Sequence, residues 1–216
     1  MMSEHNLHSY EETYESFDWD DIYAEADWDA PDRLNIGHEV CDRHAADGEN
    51  VALRYVGTDG DRRSLTFAEL KRQSNRFANV LESLDVDRGD RVFSYMPRVP
   101  EHYVALVGTL KRGAVWGSVN ERFGPDGIAY RLDDCDAKLV VTTAENEETV
   151  ERALDDAPSV ETVIVLGADE AHGDERHDDV DFDRAMADAS DEYQVAETGG
   201  EDNALLYYTS GTTGLA

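Results

Sequence analysis

Lysine is scarce in this 216-residue chain. Lys71, Lys111 and Lys138 are the three, and lysine and arginine together number 19 against 49 aspartates and glutamates. The resulting net charge of −30 repels phosphate backbones and anionic lipid, which argues against nucleic acid and membrane surfaces as partners. The acids run from Glu4 to Asp202 through every segment rather than in one patch. They therefore read as solvation suited to a salt-rich, halophilic cytoplasm, where screening removes most self-repulsion. Cysteine is equally sparse. Cys41 and Cys135 stand far apart, with no C-x-x-C and no paired histidines at ligand spacing, so neither a disulfide framework nor a zinc site is implied. They read as free thiols in a reducing compartment. No stretch approaches the roughly 20 apolar residues of a membrane span, and Met1 to Glu15 has no apolar core for a signal peptide. A soluble cytoplasmic protein is the expectation.

Hydrophobic residues make up 40% of the chain, enough for a packed core. The first 30 residues are acidic, broken by Tyr10, Tyr14, Phe17, Trp19, Ile22, Tyr23 and Trp28. Aromatics at three- and four-residue steps predict a short helix lying against the body. Asn35 to His44 sets Ile36, Val40 and Cys41 on one helical side, with His38 and His44 at the surface. Val51 to Tyr55 alternates as a strand, Gly57-Thr58-Asp59-Gly60 is a turn, and Arg62 to Phe67 returns, which makes a hairpin. Thr66 and Glu69 have the spacing of a capping box for a helix that ends near Leu84. Its Lys71, Arg72 and Arg76 read as solvated.

From Arg91 onward, short apolar strands alternate with helices. The strands are Arg91 to Met96, Ala114 to Val119, Lys138 to Thr142 and Val160 to Leu166. The helices begin at Glu101, Asp126 and Glu145, and Gly113 stops the first of them. This pattern predicts an α/β fold of βαβ units with a mainly parallel sheet covered on both faces. Gly167 to Asp181 is acidic and reads as an exposed loop. His172 and His177 lie five apart there, with nothing else at ligand spacing to make a metal site.

The most informative stretch is the last. Leu205-Leu206-Tyr207-Tyr208 reads as a buried strand and runs into Thr209-Ser210-Gly211-Thr212-Thr213-Gly214. Glycines at Gly211 and Gly214 allow successive backbone N–H groups to converge on one anion, and the four hydroxyls add donors on the same side. The lysine of a G-x-x-x-x-G-K-[ST] loop is absent, so that phosphate motif fails.

What the run resembles is the phosphate-binding signature of the AMP-forming acyl-CoA synthetases, members of the adenylate-forming superfamily. Further landmarks come in the family's order: Asp87-Arg88-Gly89-Asp90-Arg91-Val92, Pro97-Arg98-Val99-Pro100-Glu101, Lys111-Arg112-Gly113-Ala114-Val115, Asn120-Glu121-Arg122 and Tyr130-Arg131-Leu132-Asp133-Asp134. Asn35-Ile36-Gly37 is similar to the acetate and short-to-medium-chain members. The resemblance spans roughly residues 34 to 214. It divides the chain into an acidic N-terminal extension, 1–33, and the first part of the large adenylate-forming domain, 34–216. In the family a Pro-Lys-Gly segment follows the signature. Here Leu215 and Ala216 follow it, so an N-terminal fragment ending inside the phosphate-binding loop is expected.

The resemblance implies an acid–thiol ligase. A carboxylate attacks the α-phosphorus of Mg·ATP, pyrophosphate leaves, and coenzyme A captures the acyl-adenylate. Thr209, Ser210, Gly211, Thr212, Thr213 and Gly214 would grip the β- and γ-phosphates with donors fixed in advance. No catalytic residue and no metal ligand is assigned within this chain. The implied cofactors are ATP, Mg2+ and coenzyme A, and the implied partners are a small carboxylate and the C-terminal part of the enzyme, without which the fragment is expected to be inactive. Two other readings stand beside this one: a non-catalytic remnant, and an acidic interaction protein with at most weak nucleotide binding.

Overall fold

A computed structural model describes residues 9–26, 33–46, 48–168 and 178–209. Two short helices, α1 (Tyr10–Ser16) and α2 (Trp19–Ala26), precede α3 (Ile36–Val40) and a single 3-10 turn, Asp42–His44. Strands β1 (Val51–Val56) and β2 (Arg62–Thr66) form the expected antiparallel hairpin, with Arg54 opposite Ser64 and Val56 opposite Arg62. Helix α4 (Phe67–Ser83) follows at once. Its capping box is present in both directions: the Glu69 N–H donates to the Thr66 hydroxyl, and the Thr66 N–H donates to the Glu69 carboxylate.

The remainder alternates between strand and helix: β3 (Arg91–Tyr95), α5 (Pro100–Arg112), β4 (Val115–Ser118), α6 (Pro125–Asp134), β5 (Leu139–Thr143), α7 (Glu147–Leu154) and β6 (Thr162–Leu166). Then come β7 (Asp178–Asp181), α8 (Phe182–Asp188) and the two-residue β8 (Leu205–Leu206). The main sheet has six strands in the order β7-β6-β5-β3-β4-β8, and every pair in it is parallel. Gly113 caps α5 in the left-handed region at φ 75°, which is why the helix stops where the sequence expectation put its end.

Alternation along each strand supplies both faces, as a sheet covered on two sides requires. Val92 and Met96 of the β3 segment turn to one side and pack with Phe77 and Leu81 of α4, Val104 of α5, Trp116 and Phe182. Phe93 and Tyr95 turn to the other and pack with Ile128 and Leu132 of α6 and with Val150 and Leu154 of α7. The α/β fold with a parallel sheet and a separate hairpin is the one the sequence pattern and the family resemblance imply.

Several expectations need correcting. Asp178–Asp181 is not loop but an edge strand parallel to β6, and α8 follows with the Asp181 side chain accepting from the Arg184 N–H. Backbone pairing at a sheet edge does not need apolar side chains, and in β7 only Val180 packs on the core. The Leu205 to Tyr208 strand is not fully buried. Leu206 and Tyr208 pack inward while Leu205 and Tyr207 are 47% and 60% exposed, the alternation of a strand paired on one side. In α3 it is Gly37, not Val40, that faces the core, and Val40 is exposed. Finally, the N-terminal segment forms two helices instead of one, with Tyr10, Tyr14, Phe17 and Trp19 exposed and Tyr23 half-buried. His172, His177 and Trp28 lie outside the described residues.

Candidate active site at the carboxyl edge of the sheet

Because all strands of the main sheet run one way, their carboxyl ends share one edge, where open α/β sheets bind ligands. β8 lies against β4, with Trp116 opposite Leu205 and Gly117 opposite Leu206. It therefore delivers Tyr207, Tyr208 and the exposed Thr209 to that edge. Thr209 is the only member of the expected phosphate loop among the described residues. Ser210, Gly211, Thr212, Thr213 and Gly214 lie outside them.

Tyr208 fastens this segment. Its hydroxyl donates to Asp134 Oδ2 at 2.7 Å and lies 3.2 Å from the Arg131 carbonyl. The Arg131 guanidinium sits over the Phe123 ring at 4.0 Å and over the Tyr208 ring at 5.6 Å. Partial burial, then the Asp134 carboxylate, holds the Tyr208 phenol well above its ordinary pKa, so it stays a neutral donor. Two stretches that the sequence offers only as separate landmarks, Tyr130 to Asp134 and Tyr207 to Tyr208, thus form one clamp.

A cleft opens beside the clamp, lined by Arg98, His102, Ser118, Asn120, Glu121 and Tyr207 among others. The loop after β4 is held by the Tyr95 hydroxyl, which lies 2.9 Å from both the Glu121 and Phe123 carbonyls, and by Asn146 Nδ2 donating to Glu121 Oε1 at 3.0 Å. His102 stands on the first turn of α5, edge-on to Trp116 with ring centroids 5.4 Å apart. Burial, then the Arg98 charge, pushes its pKa down, which leaves a neutral imidazole at physiological pH. The lining thus carries one cation, Arg98, one carboxylate, Glu121, and several neutral donors and acceptors beside the start of α5, a mixed set of the kind that orients a small polar ligand.

The chain reaches β8 from the opposite edge of the sheet, because β7 and α8 lie beyond β6. The connecting strap, residues 189–204, crosses the amino ends of the strands. Asn79 Nδ2 donates to the carbonyls of Ser190 and Glu192, and Asn75 Nδ2 donates to that of Asp191. The Ala196 N–H donates to the Lys111 carbonyl, and Leu34 and Thr198 pair both ways, the Leu34 N–H donating to the Thr198 carbonyl at 2.7 Å and the Thr198 hydroxyl to the Leu34 carbonyl at 2.8 Å. Arg88 grips both oxygens of Asp202 at 2.6 Å. That guanidinium, and then the Gly199 N–H, hold the Asp202 carboxyl below its usual range.

Asn35 closes the same junction. Its Nδ2 lies 3.1 Å from the Leu110 carbonyl, 3.3 Å from that of Lys111 and 3.1 Å from that of Ala196, while its Oδ1 accepts from the His38 N–H and so caps α3. Beneath it Lys111 is wholly buried. Its Nζ lies 2.6 Å from Asp42 Oδ1 and 2.7 Å from Asn75 Oδ1. Burial pulls the Lys111 pKa down and Asp42 opposes the shift. Cys41 beside this pair is pushed up to about 11 by burial, so it is an inert thiol at neutral pH. Sequence reasoning noted Asn35 and Lys111 only as family landmarks. Neither residue carries a local signal of this role, since the carbonyls that Asn35 reaches lie 75 or more positions away and Lys111 meets Asn75 across 36.

A parallel sheet of this topology, whose last strand is followed in sequence by Thr209-Ser210-Gly211-Thr212-Thr213-Gly214, defines a class. A family model described as "AMP-binding enzyme" matches residues 41–216, and the chain belongs to that family. Among curated relatives, an acetyl-coenzyme A synthetase of Bacillus subtilis is 38% identical over 214 residues, which is 98% of this chain and 36% of that protein. Acetyl-coenzyme A synthetase 1 of Pseudomonas aeruginosa is 36% identical, with 91% of this chain and 32% of that protein aligned. A crystal structure of an acyl-CoA synthetase from Brucella canis superposes with a TM-score of 0.85 at 32% identity, covering 96% of this chain and 37% of that one. The chain thus spans about a third of the length of the relatives it matches. Among the described residues, no helix is long and apolar enough to cross a membrane.

Proposed function

We propose that this chain supplies the first third of an AMP-forming acyl-CoA synthetase, acting in the cytoplasm on acetate or another short- to medium-chain acid. Residues 34–216 belong to the nucleotide-binding domain and 1–33 form an acidic extension. Thr209, Ser210, Gly211, Thr212, Thr213 and Gly214 hold the β- and γ-phosphates of ATP through backbone N–H groups and hydroxyls. They bind and orient, and they hold no proton for the reaction. Mg2+, when bound with the nucleotide, would supply charge neutralisation at the phosphates these residues hold, and coenzyme A would be the thiol substrate. The groups that bind the carboxylate, the adenine and the metal come from the two thirds of the enzyme that this chain does not align with.

The observation that carries this reading is the seating of Thr209 at the carboxyl edge, fixed by the Tyr208–Asp134 clamp, in a chain of the AMP-binding family. Carboxylate-dependent exchange of labelled pyrophosphate into ATP tests it. This chain joined to the remaining two thirds of a synthetase is expected to exchange with acetate, propionate or a longer acid, and the chain alone is expected not to. Exchange by the chain alone, or none from the joined protein with any acid, contradicts the proposal.

A further inference from the structure

Arg131 is a buried cation without a counter-ion. It is 7% exposed, and among the described residues it forms no ion pair. Lys111, also buried, has Asp42 at 2.6 Å. Asp134, on the same helix as Arg131, gives its Oδ2 to the Tyr208 hydroxyl instead. The guanidinium donates from Nη1 to the Gly127 carbonyl at 2.6 Å and is flanked by the rings of Phe123 and Tyr208. Aromatic faces offset part of the cost of burying a guanidinium, but they leave its remaining N–H groups without acceptors.

The charge has a direction. Side chains of an α-helix lean toward its amino end, and the bond to Gly127, four residues back, carries the guanidinium that way along α6. That end of α6 lies at the carboxyl edge of the sheet, because Phe123 and α6 follow β4 there. The Tyr208 ring meets the guanidinium at the same edge, and the next residue is Thr209. The run from Thr209 to Gly214 offers N–H groups and hydroxyls but contains no cation, while the chain as a whole carries −30. An anionic nucleotide is repelled by that net charge and needs a local positive charge to be held. Arg98, in the neighbouring cleft, is exposed and shares its site with Glu121, so solvent and a carboxylate screen it. We propose that Arg131 is the counter-charge of the phosphate site: its guanidinium, held between Phe123 and Tyr208, pairs with the β- and γ-phosphates of ATP bound at the run that Thr209 opens. The inference deepens the function proposed above and rests on it for the identity of the anion.

The test uses this chain joined to the remaining two thirds of a synthetase and reads ATP and AMP affinity by equilibrium dialysis. Arg131→Met and Arg131→Gln remove the charge. Each is expected to weaken ATP about tenfold or more and to leave AMP, which lacks the outer phosphates, unchanged. Arg131→Lys keeps the charge without the planar stack and is expected to fall between the parent and Arg131→Met. A role confined to propping the Tyr208 ring would move ATP and AMP together, and lysine would not rescue it. Should the neutral variants fail to fold, the parent protein with isotope-labelled arginine gives a second reading. Inorganic pyrophosphate is expected to shift the Arg131 Nε resonance, assigned by its loss in Arg131→Lys, and AMP is not. Equal losses of ATP and AMP, no loss of either, a lysine variant no better than methionine, or a resonance that pyrophosphate leaves in place would each overturn the proposal. Pyrophosphate exchange in the same samples separates it from the reading it rests on. ATP binding that depends on Arg131, in a joined protein that exchanges with no acid, sinks the synthetase reading and keeps the counter-charge. Exchange with ATP affinity unaltered by Arg131→Met does the reverse.

Discussion

Lys111→Ala is expected to destabilise the fold by about 3–5 kcal/mol, the usual consequence of removing one member of a buried ion pair. The Lys111 side chain is fully buried and that of Asp42 is 7% exposed, so the substitution leaves a carboxylate with neither water nor a counter-ion. Asp42→Ala strands the ammonium instead, with only Asn75 Oδ1 and the Lys71 carbonyl at 3.3 Å as acceptors, and should lose a similar amount. For a domain whose net stability is about 5–15 kcal/mol, either change removes a large part of it. Replacing both partners by apolar residues, Lys111→Met with Asp42→Leu, should lose much less than the sum, because the desolvation penalty disappears with the charges. Urea midpoints followed by circular dichroism measure all four proteins. Lys111→Ala within about 1 kcal/mol of the parent, the range of a surface pair, would mean that the pair is solvated and the junction around it loose.

The second large effect is expected at Gly37. A Cβ built there would lie 2.8 Å from both the Lys111 backbone nitrogen and its Cγ, and 3.0 Å from the Val107 carbonyl oxygen. Two of these three atoms are backbone, so α3 would have to lift off α5 and take Asn35 and its three carbonyl contacts with it. Gly37→Ala should lose about 1–3 kcal/mol, the range for overpacking a close contact. Gly37→Val should lose more. Gly48→Ala is the control, since a Cβ there meets nothing within 4 Å, and it should stay within about 0.5 kcal/mol of the parent. Equal midpoints for the Gly37 and Gly48 variants would contradict the close packing of α3 on α5. The pair of predictions also explains why Asn-Ile-Gly and Lys-Arg-Gly, 76 residues apart in the chain, meet as one structural unit.

Local chemistry was readable wherever the cause is local. Thr66 and Glu69 cap α4 across three residues, Gly113 ends α5 by its own φ, and the alternation of Val92 and Phe93 assigns each to its own face of the sheet. The parallel sheet followed from the repeated strand-and-helix rhythm. Causes that act at a distance left no such signature. β7 carries three aspartates in four residues, so only its neighbour β6 makes it a strand. The N-terminal aromatics have helical spacing, but spacing does not say whether a face is covered. Tyr208 and Asp134 meet across 74 positions, and either alone reads as an ordinary surface residue. The phosphate loop is an expectation from its motif, and of its residues the described structure includes Thr209, which follows β8 at the carboxyl edge. The residues that would do the gripping follow beyond the last described position.

The central claim is that Gly211 to Gly214 hold the outer phosphates of a nucleotide. Comparing ATP with AMP tests it most directly, because AMP lacks those phosphates and keeps the rest of the molecule. In this chain joined to the remaining two thirds of a synthetase, Gly211→Ala combined with Thr212→Ala should weaken ATP by about tenfold or more, or about 1.4 kcal/mol, in equilibrium dialysis. AMP affinity should stay unchanged. If ATP and AMP fell together, or if neither fell, the loop would not be a cradle for the β- and γ-phosphates.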